Sequence, residues 1–142
     1  LVVEEISKAR SISTDSIAFI ASPTLTNEEL FLLKKIGETT NTSNIAGNIG
    51  LINEPKHFGL VSTDPYPNSA GVKDMGYPYG SNNILPIIDS ILEGSIKVLY
   101  VAGLDLFDLV IEKDREKLKQ ALSELSLLVV QDYKLTEIVR MA

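Results

Sequence analysis

Residues 96–102, Ile-Lys-Val-Leu-Tyr-Val-Ala, form an apolar run rich in β-branched and aromatic side chains that ends at Gly103. Such a run predicts a strand buried on both faces, as in the middle of a parallel sheet. Helical spacing flanks it on both sides. Ile84, Leu85, Ile87, Ile88, Ile91 and Leu92 recur three and four residues apart before it, and Leu118, Ala121, Leu122 and Leu125 do so after it. Shorter apolar runs at 16–21, 58–62 and 127–130 predict three more strands. Helix alternating with strand is α/β order, and the chain reads as a single Rossmann-like α/β domain over 1–142, its sheet mostly parallel and flanked by helices.

The helix boundaries follow from capping chemistry. Val2, Ile6 and Ala9 share one helical face, so the opening stretch predicts a helix packed on the sheet. Thr26 and Glu29 spell a capping box, with Leu25 and Leu30 at the positions of a hydrophobic staple. Leu30, Leu33 and Ile36 supply the buried stripe of that helix, widened by Phe31 and Leu32, and Gly37 is placed to end it. Asn82 or Asn83 would cap the next helix, Pro86 is tolerated in its first turn and Gly94 would close it. Thr136 is placed to cap a closing helix of which six residues are present, too few to be stable alone. Both termini thus read as falling inside elements. The expectation is a domain excised from a longer multidomain subunit, whose unfolding midpoint native flanking sequence would raise by covering open apolar faces.

From Glu38 to Asn83 periodicity is lost apart from 58–62, and glycine, proline and asparagine accumulate. A loop of that length inside a compact domain is expected to be functional or covered by another part of a larger protein. If the strands are parallel, right-handed crossovers bring their carboxyl ends to one edge. Ser22, Thr24, residues 62–64, residues 103–105 and residues 132–136 then share a rim. Asp105 places a carboxylate there, at the edge where open α/β folds bind ligands. The rim is rich in acceptors and hydroxyls, with no basic residue before Lys134, which suits a guanine or ribose better than a phosphate.

Composition narrows the chemistry. Nineteen acidic against thirteen basic residues give a net charge of -6, which argues against nucleic acid as a partner. With no cysteine, the 142 residues carry no disulfide, thiol nucleophile or thiolate-ligated cluster. No apolar run approaches the roughly 20 residues of a spanning helix, so no direct membrane insertion is expected. The opening Leu-Val-Val-Glu-Glu is acidic where a targeting peptide would be basic, and a cytoplasmic location is expected.

The local motifs are mostly structural. Residues 47–50, Gly-Asn-Ile-Gly, lack the Lys-Ser/Thr of a phosphate loop. His57 is the only histidine and has no companions for a metal site. Tyr66, Tyr77 and Tyr79 lie among prolines and glycines and read as packing lids rather than a stacking surface. No serine has a nucleophile-elbow context, so the chain alone is expected to be non-catalytic.

One constellation is more specific. Residues 68–78, Asn-Ser-Ala-Gly-Val-Lys-Asp-Met-Gly-Tyr-Pro, resemble the Asn-x-x-Gly-x-x-Asp-Met-Gly-x-x-Pro loop of the molybdopterin oxidoreductase superfamily, which includes formate dehydrogenases and the large iron–sulfur subunit of NADH-quinone oxidoreductase. Residues 16–35 are similar to that family's strand leading into an Asn-Glu helix, 93–103 to the helix and strand before its Gly-Glu-Asp/Asn-Pro loop, and 129–137 to its Val-Gln-Asp-x-x-x-Thr-Glu segment.

The resemblance implies an interior domain of a respiratory oxidoreductase subunit that helps hold a molybdopterin guanine dinucleotide, with Asn68, Gly71, Asp74, Gly103, Asp105 and Asp132 as cofactor-binding candidates. It also implies iron–sulfur clusters elsewhere in the parent, the parent's remaining domains and other respiratory-complex subunits as partners, and a parent peripheral to the inner membrane. No cofactor is expected in the domain alone. Leu104 and Leu106 stand where the family's loop is polar and proline-bearing, and Ile138 stands where it has threonine. These departures lean toward the large iron–sulfur subunit of the quinone oxidoreductase, in which molybdenum is generally absent, and toward a structural or vestigial site. A cofactor-binding domain of a formate dehydrogenase-like enzyme and an independent small-ligand-binding or interaction domain stay open.

Overall fold

The computed structural model describes residues 2–47, 66–78 and 84–142. Its centre is a four-stranded, all-parallel sheet of order β2-β1-β3-β4, with β1 at Ile17–Ala21, β2 at Ile45–Gly47, β3 at Val98–Ala102 and β4 at Leu127–Gln131. Phe19 lies beside Ile45 on one side and Tyr100 on the other, and Tyr100 lies beside Val129. The sheet is flanked by helices on both faces, an α/β arrangement consistent with a Rossmann-like fold. Every residue of β1 is buried, and β3, expected as an interior strand, is one.

Alternation along the strands sorts the core into two layers. Ala18, Ile20, Leu99 and Val101, with half-buried Leu128 and Val130, pack under α4 (Leu85–Leu92), α5 (Arg115–Ser123), the 3-10 turn Leu106–Asp108 and Ile138. Ile17, Phe19, Ala21, Val98 and Ala102 pack under α1 (Val2–Ile12), α2 (Asn27–Thr40) and α3 (Ser69–Asp74). The order of the strands explains the two layers. The chain steps from β1 through α2 to β2 in one direction and from β3 through α5 to β4 in the other, and right-handed crossovers of opposite direction put their helices on opposite faces.

The capping box of α2 is formed: the Glu29 N–H donates to Thr26 Oγ1 at 3.3 Å and the Thr26 N–H donates to Glu29 Oε2 at 2.8 Å. Gly37, however, does not end this helix, which continues to Thr40 and closes at Asn41 with φ of 58°. A Cβ on Gly37 would stand 2.6 Å from Ile45 Cδ1, so the glycine lets β2 pack close to the helix. The stripe is narrower than expected, since Phe31, Leu32 and Ile36 are exposed while Leu30 and Leu33 are buried. β2 and α3 both fall in stretches expected to be loop. The helix expected to run to Leu125 ends at Ser123, and the closing element is a short 3-10 turn, Ile138–Arg140, that Thr136 does not cap. The expected strand at 58–62, His57, Tyr79 and the Asn82 or Asn83 cap lie outside the described residues.

Tyr77 fastens residues 66–78 to α2. It is buried, and its hydroxyl donates to the Leu30 carbonyl at 2.7 Å. Burial pushes its pKa up from 10.0 to about 12, against a smaller opposing pull from a backbone hydrogen bond at Lys34. The fold therefore favours the neutral phenol, and this contribution is complete below pH 10 and lost as the pH climbs from 10 to 12. Denaturant titrations at pH 9 and pH 12 should show Tyr77→Phe losing less stability than wild type across that interval, by on the order of 2 kcal/mol. Equal losses in the two proteins would contradict it.

Candidate functional site at the carboxyl edge of the sheet

β1 and β3 are neighbours whose following segments leave toward opposite faces, so a crevice opens beyond their carboxyl ends. A cleft of about 290 Å³ lies there, walled by residues 22–24 after β1, residues 103–105, Asp108 and Leu109 after β3, and Asp132, Tyr133, Lys134 and Thr136 after β4, with Tyr66 beside them. Strand-end segments far apart in the chain thus share one rim, as parallel pairing requires. Residues 62–64, expected on the same rim, lie outside the described residues.

The rim is largely bonded to itself. The Ser22 and Thr24 hydroxyls share a hydrogen bond of 2.8 Å, and Thr24 Oγ1 donates to the Gly103 carbonyl at 3.2 Å. Gly103 has φ of +74°, and a Cβ there would stand 3.0 Å from Leu25 Cδ2 and 3.2 Å from Ser22 Cβ. Only glycine meets both demands without strain. Asp105 is 9% exposed, and both its oxygens are engaged. Oδ1 accepts from the Phe107 N–H at 3.0 Å; Oδ2 accepts from the N–H of Glu137 at 2.8 Å and from that of Ile138 at 3.5 Å. Asp132 Oδ1 accepts from the Lys134 N–H at 3.0 Å. Lys134, the only cation in the described lining, holds its ammonium 5.1 Å from the centre of the Tyr133 ring. The Thr136 hydroxyl oxygen is buried and has no hydrogen-bond partner.

Of the six candidates, Gly103, Asp105 and Asp132 come together in this lining, and Asn68, Gly71 and Asp74 do not. Asn68 caps α3: its Oδ1 accepts from the Gly71 N–H at 3.2 Å, and its Nδ2 donates to the Leu25 carbonyl at 2.8 Å and to Asn27 Oδ1 at 3.0 Å. A Cβ on Gly71 would stand 2.2 Å from Asn27 Oδ1, so this glycine admits the polar contact between α3 and the start of α2. Asp74 is exposed at the last residue of α3. Leu104 faces the cleft, whereas Leu106 is buried in the core under α4 and α5. Asp108 and Leu109 also line the cleft. Sequence reasoning missed them because residues 108–114 carry no periodicity.

No family model, curated protein or solved structure matches this protein. A pterin guanine dinucleotide carries a diphosphate, which needs cations or bare backbone amides. Among the described residues the cleft lining has one cation, Lys134, against three carboxylates, Asp105, Asp108 and Asp132, and Asp105 accepts from the Phe107, Glu137 and Ile138 amides. The described lining does not fit the diphosphate. Among the described residues, no cluster of three or more His, Cys, Asp or Glu is arranged to hold a metal ion, and no helix is long and apolar enough to cross a membrane.

Proposed function

We propose that this protein is an α/β domain of a molybdopterin-oxidoreductase-like subunit, most similar to the large iron–sulfur subunit of NADH-quinone oxidoreductase, and that its carboxyl-edge rim has a structural role in place of cofactor binding. The observation that carries the reading is Asp105. It stands in the segment that resembles the family's cofactor loop, yet its carboxylate is spent on three backbone amides of the protein itself. Support also comes from the convergence of residues 22–24, 103–105 and 132–136, three segments that carry the resemblance, on one cleft. In this reading the domain alone transfers no electrons, its partners are the parent's other domains and neighbouring respiratory subunits, and the parent lies in the cytoplasm against the inner membrane.

A site built for a polar cofactor and then closed by internal bonds and an apolar Leu104 leaves ligand groups unmatched, at roughly 1–3 kcal/mol for each buried group. Two or three such losses weaken binding on the order of a hundredfold or more. The test is to titrate GMP and GDP into the purified 142-residue protein and follow backbone amide resonances. No saturable shifts are expected below millimolar nucleotide. Micromolar saturation centred on Gly103 and Asp132 would overturn the structural role and favour the formate dehydrogenase-like reading.

A further inference from the structure

Residues 132–136, one wall of the cleft, are tied to the rest of the molecule at their two ends. At one end the Gln131 carbonyl, in β4, accepts from the Gly103 N–H at 2.8 Å. At the other, Asp105 receives the Glu137 and Ile138 amides. Arg115 adds a second tie there. Its guanidinium donates to the Phe107 carbonyl at 3.0 Å, pairs with the Glu137 carboxylate and lies 5.0 Å from the centre of the Phe107 ring. Between the ties the backbone is weakly held. Tyr133 is 82% and Leu135 71% exposed, and the hydrogen bonds of the backbone amides there are local, from the Lys134 N–H to Asp132 Oδ1 at 3.0 Å and from the Thr136 N–H to the Lys134 carbonyl at 3.1 Å. The buried, unpartnered Thr136 hydroxyl is a cost carried by the closed arrangement, which opening to water relieves.

We infer that residues 132–138 are a strap along one wall of the cleft, latched by Asp105 and Arg115, that opens as a unit while the sheet stays folded. Opening draws Ile138 from the core and breaks the Asp105 and Arg115 contacts, whereas unfolding the sheet breaks three strand pairings and both core layers. The smaller opening is the more frequent one. When the strap leaves, the cleft loses one of its walls and opens toward Leu109 on its lining. The inference is independent of any cofactor.

Native-state hydrogen exchange on the 142-residue protein tests it. In wild type the Glu137 and Ile138 amides should exchange about tenfold or more faster than those of Phe19 and Val101, with a weaker denaturant dependence. In Asp105→Asn an NH2 group must face a backbone N–H, so exchange at Glu137 and Ile138 should accelerate about tenfold or more. Tryptic cleavage after Lys134 and hydroxyl-radical labelling of Leu109 should rise with it, and the sheet amides should stay the slower set. Arg115→Gln, which leaves Asp105 intact, should shift the same readouts in the same direction by a smaller factor. Wild-type strap amides that exchange at the sheet's rate with the sheet's denaturant dependence would overturn the strap. So would exchange and labelling that neither variant changes.

Discussion

Phe19→Ala should destabilise the domain by about 4 kcal/mol, within the range for emptying a fully buried aromatic site. Phe19 is 0% exposed, sits mid-strand in β1 and stacks on Tyr100 with ring centroids 5.9 Å apart and planes at 30°. Gly37 and Ile45 pack around the same place, so the cavity would lie where α2, β1 and β2 meet. The backbone of β1 is fixed by parallel ladders on both sides, which leaves little room for collapse. Urea unfolding followed by circular dichroism would measure the change, and a loss below about 1 kcal/mol would show that this layer is not tightly packed.

The second large effect is expected at the rim. Gly103→Val combines a β-branched residue at φ of +74° with a Cβ crowded between Leu25 and Ser22. Left-handed backbone costs about 1–2 kcal/mol for a residue with a Cβ, and overpacking adds about 1–3 kcal/mol. A total of about 3 kcal/mol is expected from those two sources. Gly103→Ala should cost less, because its methyl meets Leu25 and Ser22 but carries no further branches to accommodate. A neutral Gly103→Val, measured the same way, would mean that the turn after β3 relaxes freely and that glycine there serves something other than backbone shape.

Much of this architecture is legible in the amino-acid order because the signals are local and repeated. The run at 96–102 is long and unalternating enough to specify an interior strand, and Thr26 with Glu29 spells a cap that forms as written. Three-residue β2 shows no period of its own; it is a strand because β1 offers it an edge. Gly37 is ambiguous in the sequence for a physical reason. A missing Cβ serves a left-handed turn or a close contact equally well, and only the position of Ile45 decides. The rim is readable to the extent that parallel strands share a carboxyl edge. What the sequence withholds is the partnering of Asp105, because the Glu137 amide that it binds lies 32 residues away and reaches it only once β4 is in place.

Asn68, Gly71 and Asp74 show the limit of motif reasoning from the opposite side. Their spacing resembles a cofactor loop, while two of them have structural roles: Asn68 caps α3, and Gly71 makes room for Asn27.

Both oxygens of Asp105 at the rim are taken by the protein's own backbone amides, and we propose that this rim carries no pterin dinucleotide. The most direct test is elemental and nucleotide analysis of the full polypeptide containing these 142 residues, purified under anaerobic conditions. Molybdenum and tungsten are expected far below one atom per polypeptide, with no GMP released by acid hydrolysis. Near-stoichiometric metal together with released GMP would contradict it.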